Sequence, residues 1–530
     1  MTTNILITGK LHPDAVKGFA ALEKTRLEYN PDCPREELLE KIKDVHILVT
    51  RSETTVDGEL MEKAPALKVV ARAAVGVGNI DLEEATKRGV LVMNTPGKNT
   101  NSAAELSLGL LLAMMRKIPS AHNRVKEGGW DRHKFTGLEL RNKTIGLVGL
   151  GHVGHRVAKF CNGFDMQVLA YDPYISPEVF KRNNVKLCPS LEEMVSQVDI
   201  LSVHVPLNKE TNGMIDYDLL KKMPAGSFVV NAARGNIIGE EDILKALDEG
   251  HIQGAAIDTF VGEPAPVKAL IEHPNVFCSP HIGASTLEAQ HAIGMTVVEQ
   301  VGKFLEGGVV DYPVNLPEVG VMDQPILKAY AVLSEKLGSV CGQILDFNPE
   351  RVVFHYRGDI SGLDNSILRL SWMKGFAGQK LDDYVSFVNV ASHIEAMGIT
   401  LEEATDPNFK SYKSAIKVVV YGASGEEVTV GGVVFDDRYL RISMINDFYF
   451  EVEPTGHLLV IENNDMPGVV GAVGTELAQH NVNISSFNLS RNTKGGAAMA
   501  MVCVDGELTS EVTKKLKSLD HIVSMHTLSL

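Results

Sequence analysis

The sequence predicts an α/β fold centred on a doubly wound parallel sheet, and three features lead to this prediction. Residues 144–148 form a short apolar run that reads as a buried strand. The glycine pattern Gly149-x-Gly151-x-x-Gly154 follows it and opens a helix-like stretch. Short apolar strands alternate with helical patterns over residues 1–98 and again over 144–280, which indicates βαβ units. Ligands of such sheets collect at the carboxyl ends of the strands.

Composition and length set the broad class. The chain has 530 residues, of which 44% are hydrophobic and 22% charged, and its formal net charge is −16. We expect roughly three or four domains at this length. The negative charge argues against nucleic acid or a membrane surface as the main partner. The six cysteines lack metal-ligand spacing, and no leader or membrane span is recognisable, so we expect a cytoplasmic protein with reduced thiols and no metal site.

The region before the glycine pattern is predicted to be a separate α/β unit. Its strands are expected at 5–8, 46–49 and 68–71. Residues 102–126 are strongly apolar and are predicted to form one long helix, buried in a core or against a second subunit. Residues 285–305 look helical and would return the chain to the first unit. The active site is then expected in the cleft between the two units.

The glycine pattern has the features of a pyrophosphate site. Gly149 permits a tight turn, Gly151 lets the backbone approach phosphate, and Gly154 lets the helix pack closely on the strand. The helix N-terminus at His152 and Val153 favours an anion. A glycine-rich turn without a ligand is the alternative. The adjoining strand and helix favour a Rossmann-type dinucleotide site.

A second strand, at 167–171, ends in an acidic residue that indicates the choice of cofactor. Asp172 can accept hydrogen bonds from the adenosine ribose and would repel a 2′-phosphate, so NAD is predicted rather than NADP. The residues predicted to line the cofactor at later strand ends are Val205, Ala232, Asp258, His281 and Gly283.

Three side chains that follow strands of this sheet are predicted to carry the chemistry. Arg234 can hold a carboxylate through two parallel hydrogen bonds. His281 can take a hydroxyl proton as hydride leaves the same carbon, and Glu263 would fix its tautomer and make it a stronger base. Asp258 would face the nicotinamide. Each residue alone could be a surface ion pair, a turn residue or a loop histidine, but together they indicate hydride transfer from a 2-hydroxy acid.

The second half of the chain is predicted to add two domains. Residues 315–320 read as a linker, and the following region mixes helices and strands in an α+β pattern. Its expected helices are 328–343 and 381–397, and its expected strands are 351–356, 416–421, 427–435 and 441–445. Residues 455–530 read as strand, helix, strand, strand, helix, strand, a split βαβ order. Asp465 is the expected N-cap of the first of these helices.

The ordered motifs resemble those of the D-isomer-specific 2-hydroxyacid dehydrogenases. They are Gly149-x-Gly151-x-x-Gly154, Asn231-Ala-Ala-Arg234-Gly, Glu263-Pro and Pro280-His281-Ile-Gly-Ala-Ser-Thr286. The last resembles members that act on 3-phospho-D-glycerate, whose long form carries an intervening domain and a C-terminal ACT domain. The resemblance implies oxidation of 3-phospho-D-glycerate to 3-phosphohydroxypyruvate with NAD, the first step of L-serine biosynthesis, by a homodimer or homotetramer.

The resemblance also implies a division into domains. A flavodoxin-like substrate domain would comprise residues 1–98 and 285–315, with the NAD-binding domain of residues 99–284 inserted in it. The intervening regulatory domain would cover residues 316–454, and the βαββαβ ACT domain residues 455–530.

Further site residues are implied by the same resemblance. The substrate would contact Arg51, Ser52, Arg72 and, from a neighbouring subunit, Arg132. L-Serine, as an effector, would bind at Asn463, Asp465 and Asn483. The sequence departs from the family pattern at three positions, namely Glu53 beside the expected phosphate site, Gly78 in place of an aspartate, and Val205 in place of a threonine.

Other functions remain open from the sequence. A glyoxylate, hydroxypyruvate or other 2-ketoacid reductase would use the same three catalytic residues, with Arg51 and Arg72 only structural. A NAD-sensing protein like the corepressors of this fold would bind the cofactor without turnover. Formate dehydrogenases of the superfamily carry glutamine where Glu263 stands, which disfavours that activity. Asp465 could serve only as a helix cap in a dimerisation domain.

Overall fold

Four β-sheets, each with its own helices, make up the described part of the chain. The computed structural model describes residues 2–307, 311–316, 325–382 and 384–530. Two of the sheets are wholly parallel, one is mixed and one is wholly antiparallel. This arrangement confirms the predicted fold class, in which parallel α/β sheets precede an α+β region and a βαββαβ unit.

The first sheet is the flavodoxin-like one. Its parallel strands are β1 (Thr3–Ile7), β2 (Thr25–Tyr29), β3 (Ile47–Thr50), β4 (Val69–Arg72) and β5 (Leu91–Met93). Its helices are α1 (Pro13–Ala20), α2 (Arg35–Lys41), α3 (Gly58–Glu62) and α4 (Leu82–Lys87). The strand order is β2-β1-β3-β4-β5. β3 and β4 are buried along their whole length, as central parallel strands are.

The region predicted as one helix over 102–126 is two helices, so that prediction was wrong. They are α5 (Thr100–Met115) and α6 (Ile118–Lys126). Pro119 explains the break, because in one continuous helix its ring would clash with the carbonyl four residues earlier, whereas proline is well tolerated in the first turn of a new helix. Lys117 accordingly takes a left-handed conformation, with φ of 52°.

The second sheet is doubly wound. Its parallel strands are β6 (Thr144–Val148), β7 (Gln167–Tyr171), β8 (Lys186–Leu187), β9 (Ile200–Val203), β10 (Ser227–Asn231), β11 (Ile252–Ile257) and β12 (Val276–Cys278). Its helices are α7 (His152–Gly163), α8 (Pro177–Arg182), α9 (Leu191–Val195), α10 (Tyr217–Lys222), α11 (Glu240–Asp248) and α12 (Lys268–Ile271). The order β12-β11-β10-β9-β6-β7-β8 reverses direction between β6 and β9. Ligands of such sheets bind at this switch point.

The next helix, α13 (Leu287–Gly307), brings the chain back to the first sheet. It packs against α1, where two glycines allow a close approach. A Cβ added to Gly294 would lie 2.7 Å from the Cβ of Ala15, and one added to Gly18 would lie 3.0 Å from Val298. Buried Val297 and Val301 of α13 join the same hydrophobic cluster as Ile5 and Ile7 of β1 and residues of other elements.

The third sheet is mixed. Its strands are β13 (Pro349–Gly358), β14 (Thr400–Asp406), β15 (Ser414–Gly422), β16 (Glu427–Phe435), β17 (Tyr439–Ile445) and β18 (Phe448–Val452), in the order β14-β13-β15-β16-β17-β18. Its helices are α14 (Pro325–Ile344), α15 (Ser366–Lys380) and α16 (Val390–Ala396). A linker was predicted at 315–320, and its residues 317–320 lie outside the described residues.

One prediction for this region was wrong, and two strands were missed. The helix expected at 381–397 is restricted to α16, because Asn389 closes a turn by accepting from the backbone N–H of Ser386 at 2.8 Å. The hydroxyl of Ser386 then donates to the carbonyl of Gly89 at 2.9 Å and ties this turn to the first domain. The edge strands β14 and β18 were not predicted. β14 is largely polar and exposed, so it lacks the alternating pattern that would reveal a strand.

The fourth sheet has antiparallel strands β19 (His457–Asn464), β20 (Ile484–Arg491), β21 (Ala497–Val504) and β22 (Ile522–Ser529), in the order β20-β21-β19-β22. Its helices are α17 (Val469–Gln479) and α18 (Ser510–Lys517). Asp465 is not the N-cap of α17, contrary to prediction. Gly468 holds that position with φ of 103°, and Asp465 instead accepts from the backbone N–H of Gly495 at 2.9 Å.

Both faces of the fourth sheet are covered by this chain. Leu459 and Ile461 of β19 face the cluster that contains residues of α17 and α18. Leu458 and Val460 alternate with them and join the core that contains α14 and the third sheet. Gln343 of α14 also accepts from the backbone N–H of Ser529 at 2.9 Å. The last two domains therefore share one hydrophobic core. Among the described residues, no helix is long and apolar enough to cross a membrane.

Candidate active site

A histidine and a glutamate meet beside the carboxyl edge of the second sheet. Nδ1 of His281 lies 2.7 Å from Oε2 of Glu263, and Oε1 of Glu263 accepts from the backbone N–H of Phe260 at 2.8 Å. The imidazole side chain is 45% exposed and the carboxylate 35% exposed. The carboxylate is thus fixed from one side by the backbone and contacts the imidazole through Nδ1 rather than Nε2.

The loop that carries His281 is organised by a buried aspartate. Asp258 follows β11 and is fully buried. Its carboxylate accepts from the hydroxyl of Ser279 at 2.5 Å and from the backbone N–H groups of Ile282 and Gly283 at 2.9 and 3.0 Å. The backbone N–H of His281 donates to the carbonyl of Asp258 at 2.8 Å, with His281 at φ of 52°. Asp258 therefore holds the loop, and the predicted contact with nicotinamide would come in addition.

Three arginines come together from both sheets. Burial is the main reason that the pKa of Arg72 is lowered to about 10, and Arg51 and Arg234 lower it further. Burial also lowers the pKa of Arg234, while the carboxylate of Glu263 opposes that shift. The charge of Glu53 raises the pKa of Arg72, opposite to the effect of the two arginines. Glu53, one of the three departures from the family pattern, therefore lies close to this cluster. The cleft between the sheets therefore carries a concentrated positive charge.

The hydrogen bonds of these arginines leave donors free. Nε of Arg72 donates to the carbonyl of Gly76 at 3.1 Å, and Nη1 of Arg51 donates to Oε1 of Gln290 at 2.6 Å. Within the described chain, Nη1 of Arg72 and Nε of Arg51 are buried without a hydrogen-bond partner. Buried donors of this kind are costly unless an acceptor reaches them. An anionic substrate would supply such acceptors.

Close packing places Arg234 next to the first domain. A Cβ added to Gly76 would lie 2.7 Å from Nη2 of Arg234. Nη1 of Arg234 donates to the carbonyl of Ala233 at 2.6 Å, and the amide of Asn231 donates to the carbonyl of Arg234 at 2.8 Å. The roles of Gly76 and Gln290 were missed from the sequence, because nothing local distinguishes a glycine or glutamine that faces a distant arginine.

The glycine pattern adopts the geometry that a phosphate cradle needs. Gly149 has φ of 91°, and a Cβ on Gly154 would lie 2.2 Å from the carbonyl oxygen of Gly149. A Cβ on Gly151, at the N-cap of α7, would meet no atom within 4 Å. Asp172 follows β7 directly and accepts from the backbone N–H of Leu150 at 2.8 Å. Two of the glycines thus serve packing, while Gly151 keeps open the space above the helix N-terminus.

The other residues predicted to bind cofactor lie at the same edge of the sheet. His152 and Val153 begin α7, Val205 and Ala232 follow β9 and β10, and Gly283 follows the His281 loop. A Cβ on Gly149 would lie 2.7 Å from Val205, so the two strand ends at the switch point are in contact.

Some predicted residues are not brought into this cleft by contacts of the described chain. Arg132 is exposed in a short 3₁₀ helix, Arg132–Phe135, and Ser52 is exposed after β3. Near the C-terminus, Asn463 is only 3% exposed, with its amide donating to the carbonyl of Asn464. Asp465 is held by Gly495, and the amide of Asn483 donates to Asp505 at 2.8 Å.

Three family models match parts of the chain from residue 108 onwards. Residues 108–283 match the NAD binding domain of D-isomer specific 2-hydroxyacid dehydrogenases. Residues 326–446 match the D-3-phosphoglycerate dehydrogenase intervening domain, and residues 457–521 match the ACT domain.

Individual relatives extend the likeness along the chain. D-3-phosphoglycerate dehydrogenase of Methanocaldococcus jannaschii is 36% identical over 526 residues, which cover 99% of each chain. The Bacillus subtilis enzyme of the same name is 37% identical over 483 residues, or 91% of this chain and 92% of that one. The structure of NAD⁺-bound 3-phosphoglycerate dehydrogenase from Entamoeba histolytica is 30% identical with a TM-score of 0.50, and covers 59% of this chain and 99% of that one.

Proposed function

The chain belongs to the D-isomer-specific 2-hydroxyacid dehydrogenases, and we propose that it oxidises 3-phospho-D-glycerate to 3-phosphohydroxypyruvate with NAD, the first step of L-serine biosynthesis. The relatives that match nearly its whole length carry the name D-3-phosphoglycerate dehydrogenase. The observation that carries the proposal is the cleft itself. There the His281–Glu263 pair, with atoms 2.7 Å apart, stands near an arginine cluster with unpartnered donors.

His281 is the proposed acid–base group. Glu263 accepts a hydrogen bond from the N–H at Nδ1, which fixes the tautomer with Nε2 unprotonated and able to take the proton of the substrate 2-hydroxyl. Bound NAD would supply the hydride acceptor for the same carbon. The imidazolium that forms is stabilised by the carboxylate, which is itself held by Phe260. In the reverse direction His281 returns the proton to the carbonyl oxygen.

The arginines divide the substrate between them. Arg234 is proposed to bind the carboxylate of the substrate and to polarise its 2-oxygen, because the charge of Glu263, the partner of His281, acts on its pKa. Arg51 and Arg72 are proposed to bind the phosphate, with Ser52 at the margin. The unpartnered Nη1 of Arg72 fits an acceptor of this kind.

The NAD site fits the residues of the second domain. The open space at Gly151 suits a pyrophosphate against the start of α7, and Asp172 has the chemistry to hold the adenosine ribose. The remaining lining of the cofactor is proposed to come from His152, Val153, Val205, Ala232, Asp258 and Gly283.

The proposed domain boundaries are those inferred from the sequence. They are a substrate domain of residues 1–98 and 285–315, an NAD-binding domain of residues 99–284, an intervening domain of residues 316–454 and an ACT domain of residues 455–530.

A homo-oligomer is proposed on the evidence of exposed apolar surface. Ile118, Val125 and Trp130 are 53%, 55% and 80% exposed in or just after α6. Large apolar side chains grouped in this way are typical of an interface. Arg132 follows Trp130 closely, which supports the proposal that it reaches the cleft of a neighbouring subunit.

L-Serine is proposed as the effector of the ACT domain. Asp465 and Asn483 lie at opposite ends of the fourth sheet, since β19 and β20 run in the same direction and Asp465 follows one while Asn483 precedes the other. A site that uses both residues therefore requires two chains.

We also propose a cytoplasmic location. All six cysteines lie in the described residues and are free thiols, as a reducing compartment would keep them.

A substrate panel tests the proposed activity. NAD reduction is measured with 3-phosphoglycerate, D-glycerate and D-lactate, each with and without added L-serine. We expect turnover with the phosphorylated acid to exceed the others by far. Preference for D-glycerate would favour a 2-ketoacid reductase instead, and binding of NAD without turnover on any acid would favour a cofactor sensor. His281→Ala should abolish turnover and leave NAD affinity nearly intact.

A further inference from the structure

A cluster of two histidines and an aspartate lies outside the cleft, at the crossing of α1 and α13. In the described part of the chain, the ligand atoms of His12, Asp14 and His291 all lie within 4.8 Å of one another. Nδ1 of His12 and Nε2 of His291 are each 3.7 Å from Oδ2 of Asp14. Two imidazoles and one carboxylate are ligands typical of zinc and neighbouring transition metals.

We propose that His12, Asp14 and His291 form a binding site for a divalent transition-metal ion, with Zn²⁺ as the best fit and water completing the coordination. Zinc bonds to nitrogen and oxygen are about 2.0–2.2 Å long, so ligands at a tetrahedral angle lie roughly 3.3 Å apart. The two separations from Asp14 are 3.7 Å and exceed this by a few tenths of an ångström, while all three ligand atoms lie within 4.8 Å of one another. Side-chain rotations would bring the three atoms to coordination distance.

The helix crossing makes the site preorganised. His12 is the N-cap residue of α1, and His291 lies in the first turns of α13. Gly294, one turn after His291, allows the contact with Ala15, and a Cβ there would lie 3.8 Å from the Cβ of His12. The two imidazole rings are already packed edge to face, with centroids 4.9 Å apart.

Present contacts of the ligands leave room for a metal ion. Nδ1 of His12 accepts a long hydrogen bond, 3.3 Å, from the backbone N–H of Asp14. Lys17 contacts Oδ1 of Asp14 at 3.3 Å, which leaves Oδ2 facing the histidines. The three side chains are 25%, 50% and 50% exposed, so an ion can enter from solvent.

A bound ion would fix the start of α13 to the start of α1. Gln290, the neighbour of His291, accepts from Arg51 at 2.6 Å and donates to the carbonyl of Ala284 at 2.7 Å. The site therefore adjoins the turn that follows the His281 loop.

The sequence predicted no metal site, because His12 and Asp14 lie far along the chain from His291.

The test is a metal titration of the full chain after removal of bound metal with a chelator. Zn²⁺ binding is measured by calorimetry, and Co²⁺ binding by its visible absorption, which reports tetrahedral ligands. His291→Gln and His12→Asn remove one ligand each, and asparagine keeps the N-cap acceptor at position 12. We expect one ion per wild-type chain and binding at least about tenfold weaker in each variant, as loss of a ligand should cost no less than loss of its supporting partner.

Two further variants separate this site from others. His122→Gln changes an exposed histidine of α6, and His281→Ala removes the histidine of the cleft. Both should bind Zn²⁺ like the wild-type chain. The proposal is overturned if the wild-type chain does not bind Zn²⁺, if His291→Gln and His12→Asn bind it unchanged, or if His281→Ala alone abolishes binding.

Discussion

Replacing Glu263 by glutamine is the sharpest single test of the proposed chemistry. Oε1 of Glu263 accepts from the backbone N–H of Phe260, so in Glu263→Gln the amide oxygen must take that position. The amide NH₂ group then faces Nδ1 of His281. An NH₂ donor forces the imidazole to accept there and to carry its proton on Nε2. The nitrogen that should take the substrate proton is then already protonated.

The size of the loss follows from this geometry. The charge-assisted contact at 2.7 Å is worth about 1.5–3 kcal/mol, which corresponds to roughly 10- to 150-fold in rate. Side-chain exposures of 45% and 35% place the pair in the lower part of that range. The reversed tautomer adds a second penalty, so we expect kcat to fall at least about 100-fold while the affinity for NAD stays within about twofold.

A neighbouring carboxylate provides the matched control. Glu240 is 8% exposed, and its Oε1 accepts from the backbone N–H of Val261 at 2.7 Å. Glu240→Gln keeps an oxygen for that bond and does not alter the partner of His281. Steady-state rates with 3-phosphoglycerate and NAD, together with NAD binding by fluorescence, are compared for both variants. The reasoning is refuted if Glu263→Gln loses no more activity than Glu240→Gln.

Three other changes address the cofactor and the substrate. Gly151→Ala should weaken NAD binding by roughly 10- to 100-fold without lowering Tm, because the added Cβ meets no protein atom within 4 Å. Gly163 lies at the end of α7 and is equally open, so Gly163→Ala should leave NAD binding unchanged in the same titration. Arg72→Met should raise KM for 3-phosphoglycerate by about 10- to 100-fold and should affect D-glycerate much less; equal effects on both acids would exclude a phosphate role. Asp172→Ser should reduce the preference for NAD over NADP by about tenfold or more, measured as a ratio of kcat/KM values; an unchanged ratio would mean that the carboxylate only anchors Leu150.

The local features of the dinucleotide site could be predicted from the sequence because each depends on a few adjacent residues. Gly149 needs a positive φ, and Gly154 needs room for a carbonyl, so a short pattern encodes both. The approach of Glu263 to His281 was also predicted, since both follow strands of one parallel sheet and such strand ends meet at one edge. Their catalytic roles stay predictions.

Features that depend on distant residues or competing local signals could not be predicted in this way. The break at Lys117 was hidden by a long apolar run, although Pro119 contained the signal for it. Asp465 has the residue type of an N-cap, yet the hairpin at Gly495 supplies a better donor. The pairing of Arg51 with Gln290 joins residues that no local pattern connects.

The fourth sheet lies between its own helices and α14. This position affects the solubility, the melting and the protease resistance of the C-terminal half of the chain. Cutting the chain ahead of residue 457 would remove Leu458, Val460 and Met501 from the hydrophobic core that they share with the third sheet and α14, and would expose part of that core to water. Such a fragment should aggregate, whereas the intact half should melt in a single cooperative transition and resist limited proteolysis between Val452 and His457.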